Sequence, residues 1–146
     1  MAAHQARDEA DIRRRLEKLV EAIRAMDLDR VKPIYARDIV SFDIEPPLRH
    51  MGAAAKWKNW EKVFTIYQAP LGYETRDLTI TVDGDVAYGY SLARLSGTLK
   101  NGSRSGYWVR WTTCLRKVDG DWLIAHDQIS VPVDFASGKA LLDLEP

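Results

Sequence analysis

The sequence has little cysteine, no surplus of either charge and no long apolar run, and each absence excludes a class of protein. Cys114 is the single cysteine, so no disulfide can form within the chain and a reducing compartment is expected. Lysine plus arginine and aspartate plus glutamate each number 21, so the chain lacks the basic surplus typical of nucleic-acid-binding proteins. No stretch approaches the roughly 20 apolar residues that a membrane span needs. We therefore expect a cytoplasmic protein that binds neither nucleic acid nor membrane.

Motifs for metal ions, nucleotides and organic cofactors are also missing. His4, His50 and His126 lack the spacing of a metal site, and no cysteine cluster accompanies them. The sequence contains no phosphate-binding Walker loop and no dinucleotide fingerprint. We expect no metal and no cofactor.

What is present predicts one domain whose first half is mainly helical. The chain has 146 residues, 46% of them hydrophobic, which suits a single hydrophobic core. We predict a domain over residues 1–146, with a core of about 8–134 and a tail over 135–146. A first helix is expected from near residue 8 through the apolar stripe that ends at residue 23. Two further helices are expected near 28–36 and 52–67, with a short strand over 39–44. The first helix carries an apolar stripe at the helical period, made of Ile12, Leu16, Leu19, Val20 and Ile23.

The second half is typical of a β-meander. Asp83-Gly84, Asn101-Gly102 and Asp119-Gly120 are turn dipeptides of the type I′ kind, each 18 residues from the next. They predict four antiparallel strands over about 73–133. Strands this long must twist and bend to stay packed on a core. The predicted fold is therefore α+β, a cone-shaped, curved antiparallel sheet wrapped around three N-terminal helices, with a pocket at its open end.

Three side chains are candidates for proton transfer, and we predict catalytic roles for them. His126 lies in an apolar strand and suits a general acid or base at neutral pH; a hydrogen-bonded core histidine is the alternative. Asp43 ends a mostly apolar strand and is a candidate base with a raised pKa or a carboxylate that orients His126, or else a turn cap. Arg110 is a candidate anchor for a substrate carboxylate or carbonyl, or a cross-strand partner on an exposed face.

A second group of side chains is predicted to contact a ligand. Trp57 and Trp60 lie on one side of the third helix, where the alternative is ordinary core packing. Strand alternation assigns Trp122, Ile124, His126, Gln128 and Ser130 to one face of the sheet, and Tyr107 and Trp111 to the face opposite Arg110. The predicted ligand contacts are Trp57, Trp60, Tyr88, Trp108, Thr112, Gln128 and Ser130.

Two stretches resemble a known family. Trp108-Val109-Arg110-Trp111-Thr112, the run from Asp119 to Pro132 and the Ser41-Phe42-Asp43 strand end are similar to the SnoaL-like, ketosteroid isomerase-like branch of the nuclear transport factor two-like superfamily. The resemblance implies a cystatin-like α+β barrel, commonly dimerised through its sheet, in a family of isomerases, cyclases, dehydratases and proteins without known activity. The first helix has no tyrosine in its apolar stripe, which argues against a steroid isomerase, and Gln128 replaces a histidine of the family pattern.

Three functions follow as hypotheses. The first is an enzyme that moves a proton next to a carbonyl of a small apolar or aromatic molecule, as an isomerase, cyclase or dehydratase without a cofactor. The second is a binding module with the same pocket and no chemistry. The third is an assembly domain that forms a homodimer, with Tyr107 and Trp111 as candidate interface residues.

Overall fold

The computed structural model describes residues 2–146. Its helices are α1 (Ala2–Arg24), α2 (Leu28–Val31) and α3 (Ala53–Ile66), and a 3₁₀ turn (Lys32–Ile34) continues α2. Its strands are β1 (Tyr35–Phe42), β2 (His50–Met51), β3 (Gly72–Asp83), β4 (Val86–Thr98), β5 (Arg104–Val118), β6 (Asp121–Ser130), β7 (Val133–Asp134) and β8 (Lys139–Ala140).

The predicted α+β class is confirmed. Strands β1 to β6 form one curved sheet in the order β2-β1-β6-β5-β4-β3, and the helices pack on one side of it. We call that side the inner face and the other the outer face. Strands β2 and β3 are the sheet edges, so the sheet does not close into a barrel.

The predicted four-stranded meander corresponds to β3 through β6, whose neighbours pair antiparallel throughout. One pair departs from the predicted antiparallel sheet, since β1 runs parallel to β6. Parallel neighbours need a crossover rather than a hairpin. Here α3 and four strands lie between β1 and β6 along the chain, so their pairing has no local turn signal.

The core lies between the inner face and α1. The whole predicted stripe of α1 is buried, because a helix laid on a sheet turns one side away from water. It packs against strand residues such as Ile39, Leu115 and Ile124, all under 3% exposed. Burial of this apolar surface is the main term that stabilises the domain.

Only one of the three predicted turns has the expected backbone. Asp119 and Gly120 both have positive φ, 51° and 86°, and they join β5 to β6 directly, as a type I′ turn requires. At the first turn only Gly84 has positive φ, and Gly84 and Asp85 form the two-residue loop. At the second, a longer loop over 99–103 joins β4 to β5, and Asn101 folds its side chain onto the Ser103 amide at 2.9 Å.

A β-bulge in β6 changes which side chains face the core. Cys114 pairs with His126 and Leu115 pairs with Ile124, so Ala125 has no partner on β5. The bulge puts Ile124 and Asp127 on the same face although they are three residues apart. The predicted grouping of Trp122 and Ile124 with His126 was therefore wrong. Trp122 and Ile124 are buried on the inner face, and His126 lies on the outer face.

The tail after β6 forms a small hairpin of β7 and β8. It is tied to the sheet by Trp108, whose indole Nε1 donates to Glu145 at 3.2 Å. Leu142 and Leu144 are about half exposed, so the tail adds little to the core. None of the helices within residues 2–146 combines the length and the hydropathy of a membrane span.

Candidate functional site

A cavity of about 160 Å³ lies between the inner face of the sheet, α1 and α3. Most of its wall is apolar or aromatic, including Leu19, Ile23, Tyr73, Leu95, Val109 and Trp111. Half-exposed side chains surround its solvent end, among them Ile44, Glu45, Lys62 and Ile66. The cavity is thus a largely apolar compartment that opens to solvent between the end of β1 and α3.

One lysine lies inside this compartment. Lys56 shares a helix face with Asn59, Trp60 and Val63, at spacings of three, four and seven residues, and all four line the cavity. Its exposure is 1%, although lysine is among the residues least often fully buried. A buried ammonium must be paired, and this one is.

Lys56 joins two carboxylates and a hydroxyl. Its Nζ lies 3.1 Å from Asp43 Oδ2, 3.0 Å from Asp127 Oδ2 and 3.3 Å from Ser41 Oγ. Ser41 in turn donates to Asp127 Oδ1. An ammonium has three N–H groups, so these three acceptors use all of them. We call these four residues the Lys56 cluster.

The members of the cluster come from three elements. Ser41 in β1 and Asp43 just beyond it point inward because they are two residues apart in an extended segment. Asp127 reaches the same point because of the bulge in β6, opposite Ser41 in the parallel pair. Burial lowers the pKa of Lys56, but Asp127, Tyr35 and Asp43 outweigh it and hold that pKa above its ordinary value.

Asp43 is the member of the cluster with the most open side chain. Its side chain is 19% exposed, against 2% for Lys56 and for Asp127. Burial raises the pKa of Asp43, but the Lys56 ammonium and the Ile44 backbone N–H lower it by more than burial raises it. The Ile44 N–H donates to Oδ1 at 2.8 Å. The net shift is downward, so the raised pKa predicted for Asp43 was wrong. Asn59 Nδ2 also donates to Oδ2, at 3.3 Å.

Four tyrosines line the cavity: Tyr67, whose hydroxyl donates to Ser105 Oγ at 3.2 Å, and Tyr35, Tyr73 and Tyr107. Trp60 Nε1 donates to the Tyr35 hydroxyl at 2.8 Å, which leaves the tyrosine's own proton for another acceptor. Burial raises the pKa of Tyr35 and of Tyr73 far above the ordinary value, and that of Tyr107 to about 12. All three hydroxyls therefore stay protonated at neutral pH and can act as hydrogen-bond donors.

Of the three predicted catalytic residues, only Asp43 lines the cavity. His126 lies on the outer face, where its Nδ1 donates to the Val40 carbonyl at 2.6 Å and its ring packs edge-on against Phe42. Arg110 is exposed on the same face and donates to Ser130 Oγ at 3.1 Å. The structure does not bring His126 or Arg110 to the cavity.

Of the predicted ligand contacts, Trp60 lines the cavity and the others lie elsewhere. Trp57 turns away from it and carries Lys32 over its ring at 5.2 Å. The remaining five lie on the outer face. Tyr88, Thr112 and Gln128 are exposed there, and Trp108 and Ser130 are half-buried. Trp111 and Tyr107, predicted to form an interface, line the cavity instead, because the inner face is the one that α1 and α3 cover.

Sequence reasoning missed four residues of the site, namely Tyr35, Lys56, Tyr73 and Asp127. Lys56 precedes Trp60 by one helical turn, so the helical period does place it on the cavity side. Tyr73 lies at the start of the meander, where it is buried and its neighbour Glu74 is exposed, so strand alternation could have placed it on the inner face. Asp127 had no such signal, since its direction depends on the bulge.

The arrangement offers an ionised carboxylate, protonated hydroxyls and aromatic walls. Across the wall there are three carboxylates, Asp43, Glu45 and Asp127, against two ammonium groups, Lys56 and Lys62. Within residues 2–146, no three histidine, cysteine or acidic side chains are grouped so that they could hold a metal ion. The groups present suit proton transfer and hydrogen bonding to a mostly apolar ligand.

Comparisons with known proteins give the same architecture. The sequence model of the SnoaL-like domain matches residues 12–134. A crystal structure of an NTF2-like protein of unknown function from Pseudomonas putida KT2440 is 30% identical, with a TM-score of 0.88 over 97% of this chain and 98% of that one. A ketosteroid isomerase-like protein from Erwinia carotovora atroseptica is 22% identical, with a TM-score of 0.70 over 83% and 93%.

A third similar structure is an NTF2-like superfamily protein from Salmonella enterica serovar Typhimurium, at 15% identity and a TM-score of 0.77 over 90% and 96% of the two chains. Likeness at this identity shows the fold alone. Among curated proteins, none matches this chain.

Proposed function

The chain belongs to the SnoaL-like family, of NTF2-like fold, and we propose that it is an enzyme that moves a proton next to a carbonyl group of a small, mostly apolar molecule. The observation that carries the proposal is the Asp43 carboxylate, which faces an apolar cavity and is held ionised by Lys56 at 3.1 Å. Such a reaction needs a base and hydrogen-bond donors, and this chain supplies both. A cytoplasmic location, favoured by the single cysteine, belongs to the same proposal.

Asp43 acts as the base in this proposal. It takes a proton from the carbon beside the substrate carbonyl. The electron pair of that C–H bond forms a C=C bond, and the π pair of the carbonyl moves onto its oxygen to give an enolate. Return of the proton to another carbon of the conjugated system gives an isomer. When the carbon next to the deprotonated one carries a hydroxyl group, that hydroxyl can receive the proton and leave as water, which gives a dehydrated product. Each route regenerates the Asp43 carboxylate.

Tyr35 and Tyr73 stabilise the enolate oxygen. Their hydroxyls line the cavity, and their raised pKa values keep them protonated as donors. Donors placed in advance within a dry site are worth more than the same donors in water, because nothing has to reorganise as the charge develops. The Trp60 bond to the Tyr35 oxygen fixes the direction of one of them.

Lys56 has a positioning role, since its three N–H groups are already bonded within the cluster. It keeps Asp43 ionised and in place without contacting the substrate. The cost is a weaker base, because a lowered pKa reduces the driving force for proton abstraction. Binding of a ligand displaces water from the carboxylate and offsets part of that loss.

The test is hydrogen exchange of model ketones, which does not require the natural substrate to be known. Acetophenone, 1-indanone and 2-tetralone are incubated with the protein in D₂O at neutral pH, and loss of the α-proton signal is followed by NMR. The wild type is expected to accelerate exchange of at least one ketone, and Asp43→Asn is expected to lower that acceleration by about 100-fold or more. Asp38→Asn, an exposed carboxylate of β1 paired with Arg116, is the matched control.

No exchange of any of the three ketones above the heat-denatured control contradicts the enzymatic proposal, and so does full exchange by Asp43→Asn. The first result favours a second function, a binding module that holds a ligand without chemistry. One observation supports that alternative: both oxygens of Asp43 already accept hydrogen bonds, from Ile44, Lys56 and Asn59. Ligand binding without exchange is its expected outcome.

We also propose that the chain forms a homodimer through the outer face. Its support is the half-exposed aromatic surface there, with Tyr88 48% and Tyr90 51% exposed on adjacent outward positions of β4. Native mass spectrometry of the wild type is expected to give a dimer, and Tyr88→Glu/Tyr90→Glu a monomer. A monomeric wild type would contradict this proposal and leave the cavity proposal unaffected.

A further inference from the structure

Among the lining residues that the structure describes, carboxylates outnumber ammonium groups, so the charge inside the cavity is negative. The two carboxylates of the Lys56 cluster face one ammonium, and at the entrance Glu45 and Lys62 form a separate pair at 3.8 Å. The wall as a whole therefore carries one more negative than positive charge. Charges in a compartment with little water act more strongly than the same charges at the surface.

Lys56, the cation in the interior, cannot receive an anionic ligand. Its three N–H groups are bonded to Asp43, Asp127 and Ser41. Ring faces cover the rest of it, with Nζ 5.7 Å from the centre of Tyr35 and 5.9 Å from that of Trp60. A carboxylate entering the cavity would meet Asp43 and the electron-rich faces of aromatic rings instead of an ammonium.

The same wall fits an uncharged ring. Tyr73 packs edge-to-face with Trp60 and with Trp111, at 6.3 and 6.4 Å between ring centres, so the rings stay apart and leave space between them. Apolar cavities of about 150 Å³ hold benzene in a well-studied protein, and this one is about 160 Å³. The tyrosine hydroxyls and Asn59 supply neutral hydrogen-bonding groups for a polar substituent.

We propose that the cavity selects uncharged ring compounds and rejects their carboxylate analogues, because the Asp43 charge is uncompensated toward the ligand. The inference rests on the proposed function in one respect, since it assigns the substrate class of the same cavity. It implies that the substrate is a neutral ketone, aldehyde, ester or amide, and that an acid form of the same molecule is not a substrate.

The experiment compares benzamide with benzoate, which have nearly the same shape and differ in charge. Dissociation constants are measured at neutral pH by calorimetry or by quenching of the fluorescence of Trp60 and Trp111. The wild type is expected to bind benzamide at least tenfold more tightly than benzoate. Asp43→Asn removes the uncompensated charge and frees one N–H of Lys56, so the ratio is expected to fall below about threefold. Asp38→Asn is expected to keep the wild-type ratio.

A second probe separates the sign of the charge from the general cost of burying any ion, and it needs no variant. Benzylammonium and benzoate both lose hydration on entry, but only benzoate is repelled by Asp43. The wild type is expected to bind benzylammonium at least tenfold more tightly than benzoate. This comparison keeps the inference testable should Asp43→Asn not fold, which circular dichroism would show.

Three results would overturn the inference: equal affinities for benzamide and benzoate, an unchanged ratio in folded Asp43→Asn, or benzylammonium binding no better than benzoate. All of these are binding measurements without turnover. A protein that selects benzamide but exchanges no ketone proton would uphold the inference and contradict the enzymatic proposal. A protein that exchanges ketone protons but prefers benzoate would do the reverse.

Discussion

The inner and outer faces of the sheet carry side chains of the same kinds, yet their environments differ completely. On β5 and β6 the inner face has Trp111 and Asp127, and the outer face has Arg110 and His126. Trp111 is 4% exposed and Asp127 1% exposed, whereas Arg110 lies open to solvent. The difference comes from coverage by α1 and α3 on one side alone.

Coverage changes what a charged residue does. Arg110 makes one exposed hydrogen bond to Ser130, of the kind that contributes little to stability. Lys56 makes three buried polar contacts, so every partner it loses would leave another group unsatisfied. A charged residue within an apolar stretch of sequence is therefore buried beside the cavity only where a helix covers that face of the sheet.

The largest effect is expected from removing the Lys56 cation of the inner face. Lys56→Met leaves Asp43 and Asp127 facing each other without a counter-ion, so we expect the free energy of unfolding to fall by about 3–5 kcal/mol. Urea denaturation followed by tryptophan fluorescence measures it. Lys62→Met, on the same helix with a side chain 69% exposed, is the control and should change little. Equal losses in the two variants would show that burial of the Lys56 ion pairs makes no extra contribution to stability.

The second test compares the faces by activity. Asp43→Asn is expected to lower ketone exchange by about 100-fold or more, and His126→Ala to change it by less than about threefold. The NMR exchange assay in D₂O serves both variants. A 100-fold loss in His126→Ala would restore the catalytic role predicted for that histidine and move the functional site to the outer face.

The third test uses pH. The lowered pKa of Asp43 means that its contribution to stability is complete above the ordinary carboxyl value of about 3.9 and is lost as pH falls through the folded-state value. The raised pKa of Lys56 means that its contribution is complete below about 10.4 and is lost only at still higher pH. The cluster should therefore contribute evenly between about pH 5 and 9.

Urea midpoints at pH 7, 4 and 2.5 measure this dependence. The wild type is expected to lose more stability between pH 7 and 2.5 than Asp43→Asn, which has no carboxyl to protonate at that position. Parallel curves for the two proteins would contradict the assigned ion pair.

The smallest effect is expected on the outer face. Arg110→Met removes the exposed bond to Ser130 and should change the free energy of unfolding by no more than about 0.5 kcal/mol. Ketone exchange should also be unchanged. A loss of several kcal/mol would contradict the exposed environment assigned to Arg110. Native mass spectrometry of the variant would then show whether that loss accompanies dissociation of the proposed homodimer.

The sequence predicts much of the fold because local signals coincide with the final contacts. The stripe of α1 is buried as its period indicates, and the Asp119-Gly120 turn fixes the β5–β6 hairpin. The parallel pairing of β1 with β6 has no such signal, because residues far apart in the chain form it. Here the sheet order is decided by packing rather than by local sequence.

The site is harder to predict than the fold. Asp43 and Trp60 were found because an acid beside an apolar strand and a tryptophan on a helix are visible patterns. Lys56 was missed because lysine is nearly always solvated, and pattern reasoning assigns it to water. Asp127 was missed because strict alternation places it opposite Trp122, and the bulge at Ala125 that corrects this has no sequence signature.

The bulge also governs how positions correspond between related chains. Before Ala125 the even-numbered positions of β6 face the cavity side, and after it the odd-numbered positions do. Between Ala125 and Ser130 the alternation is regular, with Asp127 and Ile129 facing the cavity. A relative that lacks the extra residue would present the same two positions to its cavity from a strand one residue shorter. Alignments that place the gap elsewhere would pair Asp127 with an outward residue, so equivalent residues in this strand should be numbered from its C-terminal end.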